Sequence, residues 1–323
     1  MKKKYGVLGG GSWGTAIVKI LLEKNSSVNW YLRNEKNVEY IKKHKKNPNY
    51  LSSLVLNTNK IKLSSCIEET VKDSNVIILA IPSPFLDSEL KKIKSSLSER
   101  TIFSALKGVV PESHLIVSEH LNLIYNVPFS KIGIITGPCH AEEIALEKLS
   151  YLTVACKNHK AGESMRESLD TNFVKAKLSN DNMGVEYAAM LKNIYAIVVG
   201  ISNGLGYGDN FQSVLISNSL REMKEFIKAI YKIKRDINDT EYLGDLLVTC
   251  YSSFSRNRTL GNMLGKGYSL KAAIYRDLSR TMARQRFSAE DYIRQFSSKT
   301  FWDPSPNSKK DNLYDPVFST LNL

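Results

Sequence analysis

Cysteine is scarce in this 323-residue chain: Cys66, Cys139, Cys156 and Cys250 lie far apart, with no Cys-x-x-Cys pair and no Cys/His cluster. That scatter excludes a zinc ribbon and a disulfide framework, so the expectation is no metal and reduced thiols in a cytosol. Long apolar runs are missing too. None reaches the roughly 18 residues expected of a membrane-spanning segment. The basic start Met1 to Lys4 leads into an apolar stretch broken between Gly9 and Trp13, unlike a secretory signal. A cytoplasmic location without stable membrane insertion is therefore expected. Acidic residues are in deficit, 32 against 45 Lys and Arg, which leaves a net charge of +13. Such a balance suits nucleic acid, an anionic membrane or an acidic metabolite. The bases are dispersed, however, with 33 Lys to 12 Arg in short pairs and triplets. They read as a solvated cationic surface, and no nucleic-acid partner is expected.

What is present is enough to build a core: 42% hydrophobic and 24% charged residues over a length that suggests two domains. Tyr5 to Gly9, Val28 to Leu32, Val76 to Ala80, Thr101 to Ala105 and Ile132 to Thr136 are short runs of strand type. Between them, helices are predicted at Trp13 to Lys24, Val38 to His44, Phe85 to Leu97 and Ser113 to Leu123. Tyr151 to Ala155 and Val174 to Leu178 extend the series. Beyond Asn182 the pattern turns helical, at Gly184 to Gly200 and Val214 to Lys234. The fold class expected is α/β: an N-terminal Rossmann-type doubly wound sheet over 1–180, then an all-α domain over 181–323. From about 276 the tail is atypical, and Ser297 to Asn312 is rich in loop-forming residues.

Gly9, Gly11 and Gly14 form Gly-x-Gly-x-x-Gly directly after the first strand and before the first helix. The first glycine permits a tight turn, the second lets backbone approach a pyrophosphate, and the third allows close helix packing. Ser12 and Trp13 would turn their backbone N–H groups to the phosphates. Arg33 stands at the end of the second strand, where a NAD-selective site usually has an acid. A guanidinium can pair with a 2′-phosphate, so NADPH is favoured; the nearby Glu35 keeps NADH open.

The chemistry points to the second half. Lys192 is the only base between Lys177 and Arg221, inside the apolar run YAAMLKNIYAIVVG. A half-buried ammonium can exchange protons with a substrate oxygen near neutral pH, although a snorkelling lysine gives the same pattern. GDLLVTCYSSFSRN brings Asp245, Thr249, Ser255, Arg256 and Asn257 into one short window. Arg and Asn beside backbone N–H groups suit a phosphate, and Asp245 could orient a lysine. SALKG sets Lys107 just past a strand end, and GPCHAEE does the same for Gly137 to Glu143.

GGGSWGTA, SALKG, GPCHAEEI, GVEYAAMLKNIYAI, GLGYGDN, GDLLVTC and SRNRTLGNMLGKG, in this order and spacing, resemble the bacterial NAD(P)-dependent glycerol-3-phosphate dehydrogenases from about Tyr5 to about Ser269. The resemblance implies NAD(P)H-dependent reduction of dihydroxyacetone phosphate to sn-glycerol 3-phosphate, the backbone precursor of phospholipids. By position it implies Lys192 as proton donor and acceptor. It implies substrate contacts at Lys107, Gly137, Cys139, Asp245, Ser255, Arg256 and Asn257. Cofactor contacts fall on Gly9, Gly11, Ser12, Trp13, Gly14, Arg33, Tyr50, Lys107, Ala141 and Arg256. A homodimer is a further expectation of the resemblance alone. Cys139 replaces the usual Ser or Thr, and His140 stands where an apolar aromatic is common and reads as a packing change. After Ser269 the family's Met-Val-Ala-Glu-Gly type segment is missing. From Ala272 to Ser298 there is no Lys but five Arg: Arg276, Arg280, Arg284, Arg286 and Arg294. A frame-shifted or drifted end would account for that change. The alternatives are a dinucleotide-binding remnant with little turnover and a related 3-hydroxyacid dehydrogenase.

Overall fold

In the computed structural model, which describes residues 3–24 and 27–274, apolar runs alternate with amphipathic helices along the first half of the chain. β1 (Tyr5–Leu8), α1 (Ser12–Lys24), β2 (Val28–Tyr31), α2 (Glu35–His44), β3 (Ile61–Ser64), α3 (Ile67–Lys72), β4 (Val76–Leu79), α4 (Ser83–Leu90) and β5 (Thr101–Ser104) come first. A small hairpin, β6 (Val109–Val110) and β7 (Leu115–Ile116), then leads into α5 (Val117–Tyr125). β8 (Ile132–Thr136), α6 (Ala141–Ala145), β9 (Ser150–Cys156), α7 (His159–Leu169) and β10 (Val174–Ser179) follow. The large sheet has the order β10-β9-β8-β5-β4-β1-β2-β3. Its neighbours pair in parallel except β8 and β9, which run antiparallel with Ile134 opposite Ala155. Strand order reverses between β1 and β4, so a crevice opens beyond their carboxyl ends, where open α/β sheets bind ligands.

Strands buried on both faces need apolar residues at nearly every position. Val7, Ile78 and Phe103 face one helical layer with Ile17, Ile20 and Leu21 of α1. Leu8, Leu79 and Ile102 face the other with Leu86, Val117 and Leu121. α8 (Asn182–Gly204), α9 (Asp209–Ile230) and α10 (Asp245–Tyr251) make a third core, where Ala188, Ala196 and Val199 meet Leu215, Ile216 and Leu246, and α11 (Arg256–Gly265) follows. α8 and α11 touch backbone to backbone: a methyl at Gly261 would lie 2.0 Å from the Ile197 carbonyl oxygen, and one at Gly200 2.2 Å from that of Arg258.

Several boundaries differ from the sequence expectation. The predicted helix Phe85 to Leu97 ends at Leu90, because the Glu68 carboxylate accepts the N–H groups of Lys94 at 2.8 Å and Ser95 at 3.3 Å. The predicted helix Ser113 to Leu123 starts only at Val117. Its early residues turn the β6–β7 hairpin, with the N–H groups of Ser113 and His114 bonded to the Val110 carbonyl and His114 at φ 56°. α8 is 23 residues long and, although Lys192 and other polar residues interrupt its apolar run, is apolar enough to cross a membrane by length and composition. Most of its apolar window, 61%, is buried against the protein, as in a core helix. The atypical tail from about 276 and its five arginines lie outside the described residues.

Candidate active site

The β1–α1 turn is held from several sides. Gly9 has φ 125°, and a methyl there would sit 2.5 Å from the Ala80 carbonyl oxygen; one at Gly14 would lie 2.2 Å from the Gly9 oxygen. Gly11 differs: a methyl there would meet nothing within 4 Å. The space beside it is open, at the start of a 13-residue helix whose first N–H groups need an acceptor. Two residues that the sequence reading missed brace this turn. Trp30 Nε1 donates to the Gly9 carbonyl at 2.9 Å, and Asn47 Nδ2 donates to the Gly10 carbonyl at 3.0 Å. Asn47 Oδ1 also accepts the Tyr50 N–H at 3.2 Å, which sets Tyr50 beside the turn. Trp13 Nε1 is buried and without a partner among the described residues. Arg33 is exposed, with its guanidinium 5.8 Å from the centre of the Phe85 ring. A cradle open at Gly11, the N-terminal N–H groups of α1 and a cation at the end of β2 fit a dinucleotide.

Lys192 and Asp245 meet in the interior, 3% and 1% exposed, as a direct ion pair between Nζ and Oδ1. Asp245 is pinned in turn: Thr136, the last residue of β8, donates Oγ1 to its Oδ2 at 3.2 Å. Thr249 Oγ1 bonds the Asp245 carbonyl at 2.6 Å. Burial pushes the Lys192 ammonium well below the ordinary lysine value; Asp245 opposes this, and the neighbouring Lys107 cation adds to it. For Lys107 burial acts in the same downward sense, but the attraction of Asp245 wins and its value is raised. The cluster thus holds one fixed cation beside one labile one.

Several of the other expected residues lie on the strand and helix ends that flank this pair. Gly137 turns the chain after β8 at φ 122°, and Cys139 Sγ lies 3.5 Å from its carbonyl oxygen. Burial drives the Cys139 thiol up to about 12, so it stays protonated and is no nucleophile at neutral pH. Ala141 opens α6. Ser255 caps α11 by accepting the Arg258 N–H at 3.3 Å, which sets Arg256 and Asn257 in the first turn of that helix. Asn257 is tied to the helix of Lys192 through Asn193 Oδ1 at 2.9 Å. Thr136 and Asn193 were absent from the sequence reading, although a hydroxyl at a strand's carboxyl end and a polar residue beside the buried lysine were available signals. Arg33 and Tyr50 sit at the glycine turn's end of the crevice, apart from the lysine cluster. The arrangement can hold a phosphorylated anion and supply a proton inside it.

The N-terminal model of NAD-dependent glycerol-3-phosphate dehydrogenase matches residues 4–162, and the C-terminal model of the same family matches 181–300. The likeness therefore continues past Ser269, where the sequence motifs end. A glycerol-3-phosphate dehydrogenase (NAD(P)+) from Clostridium botulinum (strain Alaska E43 / Type E3) is 34% identical over 278 residues, covering 84% of this chain and 81% of its own. One from Pseudomonas aeruginosa (strain LESB58) is 34% identical over 275 residues, covering 84% and 78%. The crystal structure of glycerol-3-phosphate dehydrogenase from Coxiella burnetii superposes with a TM-score of 0.76 at 25% identity, covering 91% of this chain and 90% of that one.

Proposed function

The chain belongs to the NAD-dependent glycerol-3-phosphate dehydrogenase family, and we propose that Lys192 is the proton donor of its reaction. It is an oxidoreductase that reduces dihydroxyacetone phosphate to sn-glycerol 3-phosphate with NADH or NADPH, a supply step for phospholipid synthesis. The observation that carries the role of Lys192 is its buried pair with Asp245, itself anchored by Thr136.

The reduced nicotinamide, when bound, supplies the hydride that adds to the keto carbon. Gly9, Gly11, Ser12, Trp13, Gly14, Tyr50 and Ala141 would hold the dinucleotide, with Lys107 and Arg256 reaching it from the substrate side. The Lys192 ammonium gives its proton to the oxygen of carbon 2 as negative charge builds there; burial makes that proton easier to release than an ordinary lysine's. Asp245 holds Nζ in place and offsets part of the cost of burying it. Lys107, with its raised value, keeps its charge and faces the substrate as a permanent cation. Gly137 and Cys139 offer backbone N–H groups, and Ser255, Arg256 and Asn257 bind the phosphate at the first turn of α11. In this division of labour, 1–180 binds the dinucleotide, while 181–323 binds substrate and carries the lysine. Arg33 favours NADPH over NADH by pairing with the 2′-phosphate. A cytoplasmic enzyme that forms a homodimer through its helical half completes the proposal.

Steady-state oxidation of NADPH and NADH with dihydroxyacetone phosphate tests it. Turnover with this substrate, none with 3-keto acids and a preference for NADPH are expected. Cofactor binding by calorimetry without turnover would mark a dinucleotide-binding remnant instead.

A further inference from the structure

His140 lies between two residues assigned above, Cys139 and Ala141, and the mechanism gives it no task. It precedes α6 without capping it: its side chain accepts no N–H of that helix. The Nε2 atom is buried and has no hydrogen-bond partner among the described residues. A buried polar atom left unpaired has given up its hydration without replacement, so it calls for a partner that arrives later. The imidazole is tilted against the Phe254 ring at 5.7 Å between centres, and Phe254 immediately precedes Ser255 in the proposed phosphate-binding segment. Its charged surroundings are Lys107 and Lys192 on the crevice side and Glu142 and Glu143 from α6. Burial first, then Lys107 and more weakly Lys192, outweigh Glu142 and Glu143 and hold the ring neutral, so it keeps one N–H and one lone pair.

We propose that His140 is a substrate-binding residue whose Nε2–H donates a hydrogen bond to a phosphate oxygen of the bound substrate. The proposal rests on the reading of Ser255, Arg256 and Asn257 as the phosphate end. Phe254 beside it is 44% exposed and has solvent to move into, which leaves room for a phosphate to approach the imidazole. The anion then sits between the imidazole and the first turn of α11, and offsets the repulsion that the crevice lysines exert on a protonated ring.

The test uses the full chain with dihydroxyacetone phosphate and NADPH. His140→Phe keeps a ring against Phe254 but has no N–H; it is expected to raise KM for dihydroxyacetone phosphate at least tenfold, with kcat within twofold and KM for NADPH unchanged. His140→Gln, which restores an N–H donor, is expected to recover most of that loss. A wild-type KM for His140→Phe, or equal losses in both variants, would overturn the proposal by leaving only a packing role. Wild-type turnover separately tests the assigned reaction. The His140 proton resonances, assigned by their loss in His140→Phe, provide a readout independent of turnover. Inorganic phosphate should move their titration to higher pH in the wild type, and an unmoved titration overturns the proposal even in an inactive chain.

Discussion

Gly11 and Asp245 illustrate two ways in which a single residue carries function. At Gly9 and Gly14 an added methyl meets backbone, whereas at Gly11 it would enter empty space. Gly11→Ala should therefore leave the melting temperature within a degree or two of wild type yet weaken NADPH binding at least tenfold by calorimetry, since the methyl would fill room that a pyrophosphate needs. Equal affinity in the variant would show that the phosphates lie elsewhere. Asp245 acts by charge. Reduction needs Lys192 protonated, so the rate is lost as pH rises through its pKa; burial lowers that value, and Asp245 opposes the fall. Asp245→Asn removes the opposing charge and should shift the basic limb of the kcat profile to lower pH by about one unit or more. A limb shifted to higher pH would contradict the pairing. The lysine itself was legible in the sequence as the lone cation of an apolar helix, and Asp245 as a carboxylate able to orient a lysine, but their direct pairing was not. Asp245 lies 53 positions away, and only the docking of α10 on α8 brings them together.

The elements place these residues. α8 is fixed at its start by Asp181, which accepts the Gly184 N–H at 2.9 Å, Arg235 Nε at 2.7 Å and the Tyr242 hydroxyl at 2.5 Å. One turn on, the Glu186 carboxylate reaches the start of α5, where it accepts from the Ser118 N–H at 3.2 Å and from the Ser118 hydroxyl. Burial raises Glu186 to about 7 against the bonds from Ser118 that lower it, and Glu119 adds a smaller upward push. The sign follows: the folded state binds the proton more tightly than the unfolded chain does, so stability falls as pH rises between about 4.5 and about 7 and is level above. Glu186→Gln should remove this slope, a change of roughly 3 kcal/mol at most across that window. Denaturant unfolding of both proteins at pH 5 and pH 8 checks it; parallel pH dependence would refute the role of Glu186. Regular elements with a strong period were readable in advance. α1 and the core of α8 lie within a few residues of expectation, because their apolar faces and caps are local features. β3 escaped notice because four residues, two of them buried, carry too little pattern. The end of α4 depends on a carboxylate from α3, which no local sequence reveals.

At the scale of the whole molecule, the crevice at the β1–β4 switch point and the helical half converge on one cluster. The dinucleotide turn was legible because its glycines must be contiguous with a strand and a helix. Lys107 and Gly137 were readable as residues just past strand ends that could share a site, whereas the meeting of Lys107 with Lys192 and Asp245 arises from how the helical half docks on the sheet. The antiparallel pairing of β8 and β9 was not legible either, because a strand's direction depends on its connections more than on its composition. Of the 45 cations behind the +13 charge, three, Lys107, Lys192 and Arg256, carry the proposed substrate chemistry. The central claim is that a buried lysine, tuned by one carboxylate and one neighbouring cation, protonates the substrate inside this cluster. Lys192→Ala, assayed for NADPH oxidation with dihydroxyacetone phosphate alongside calorimetric NADPH affinity, tests that claim most directly. The account predicts a loss of kcat of at least a thousandfold with cofactor affinity unchanged within about twofold; turnover near the wild-type rate would contradict it.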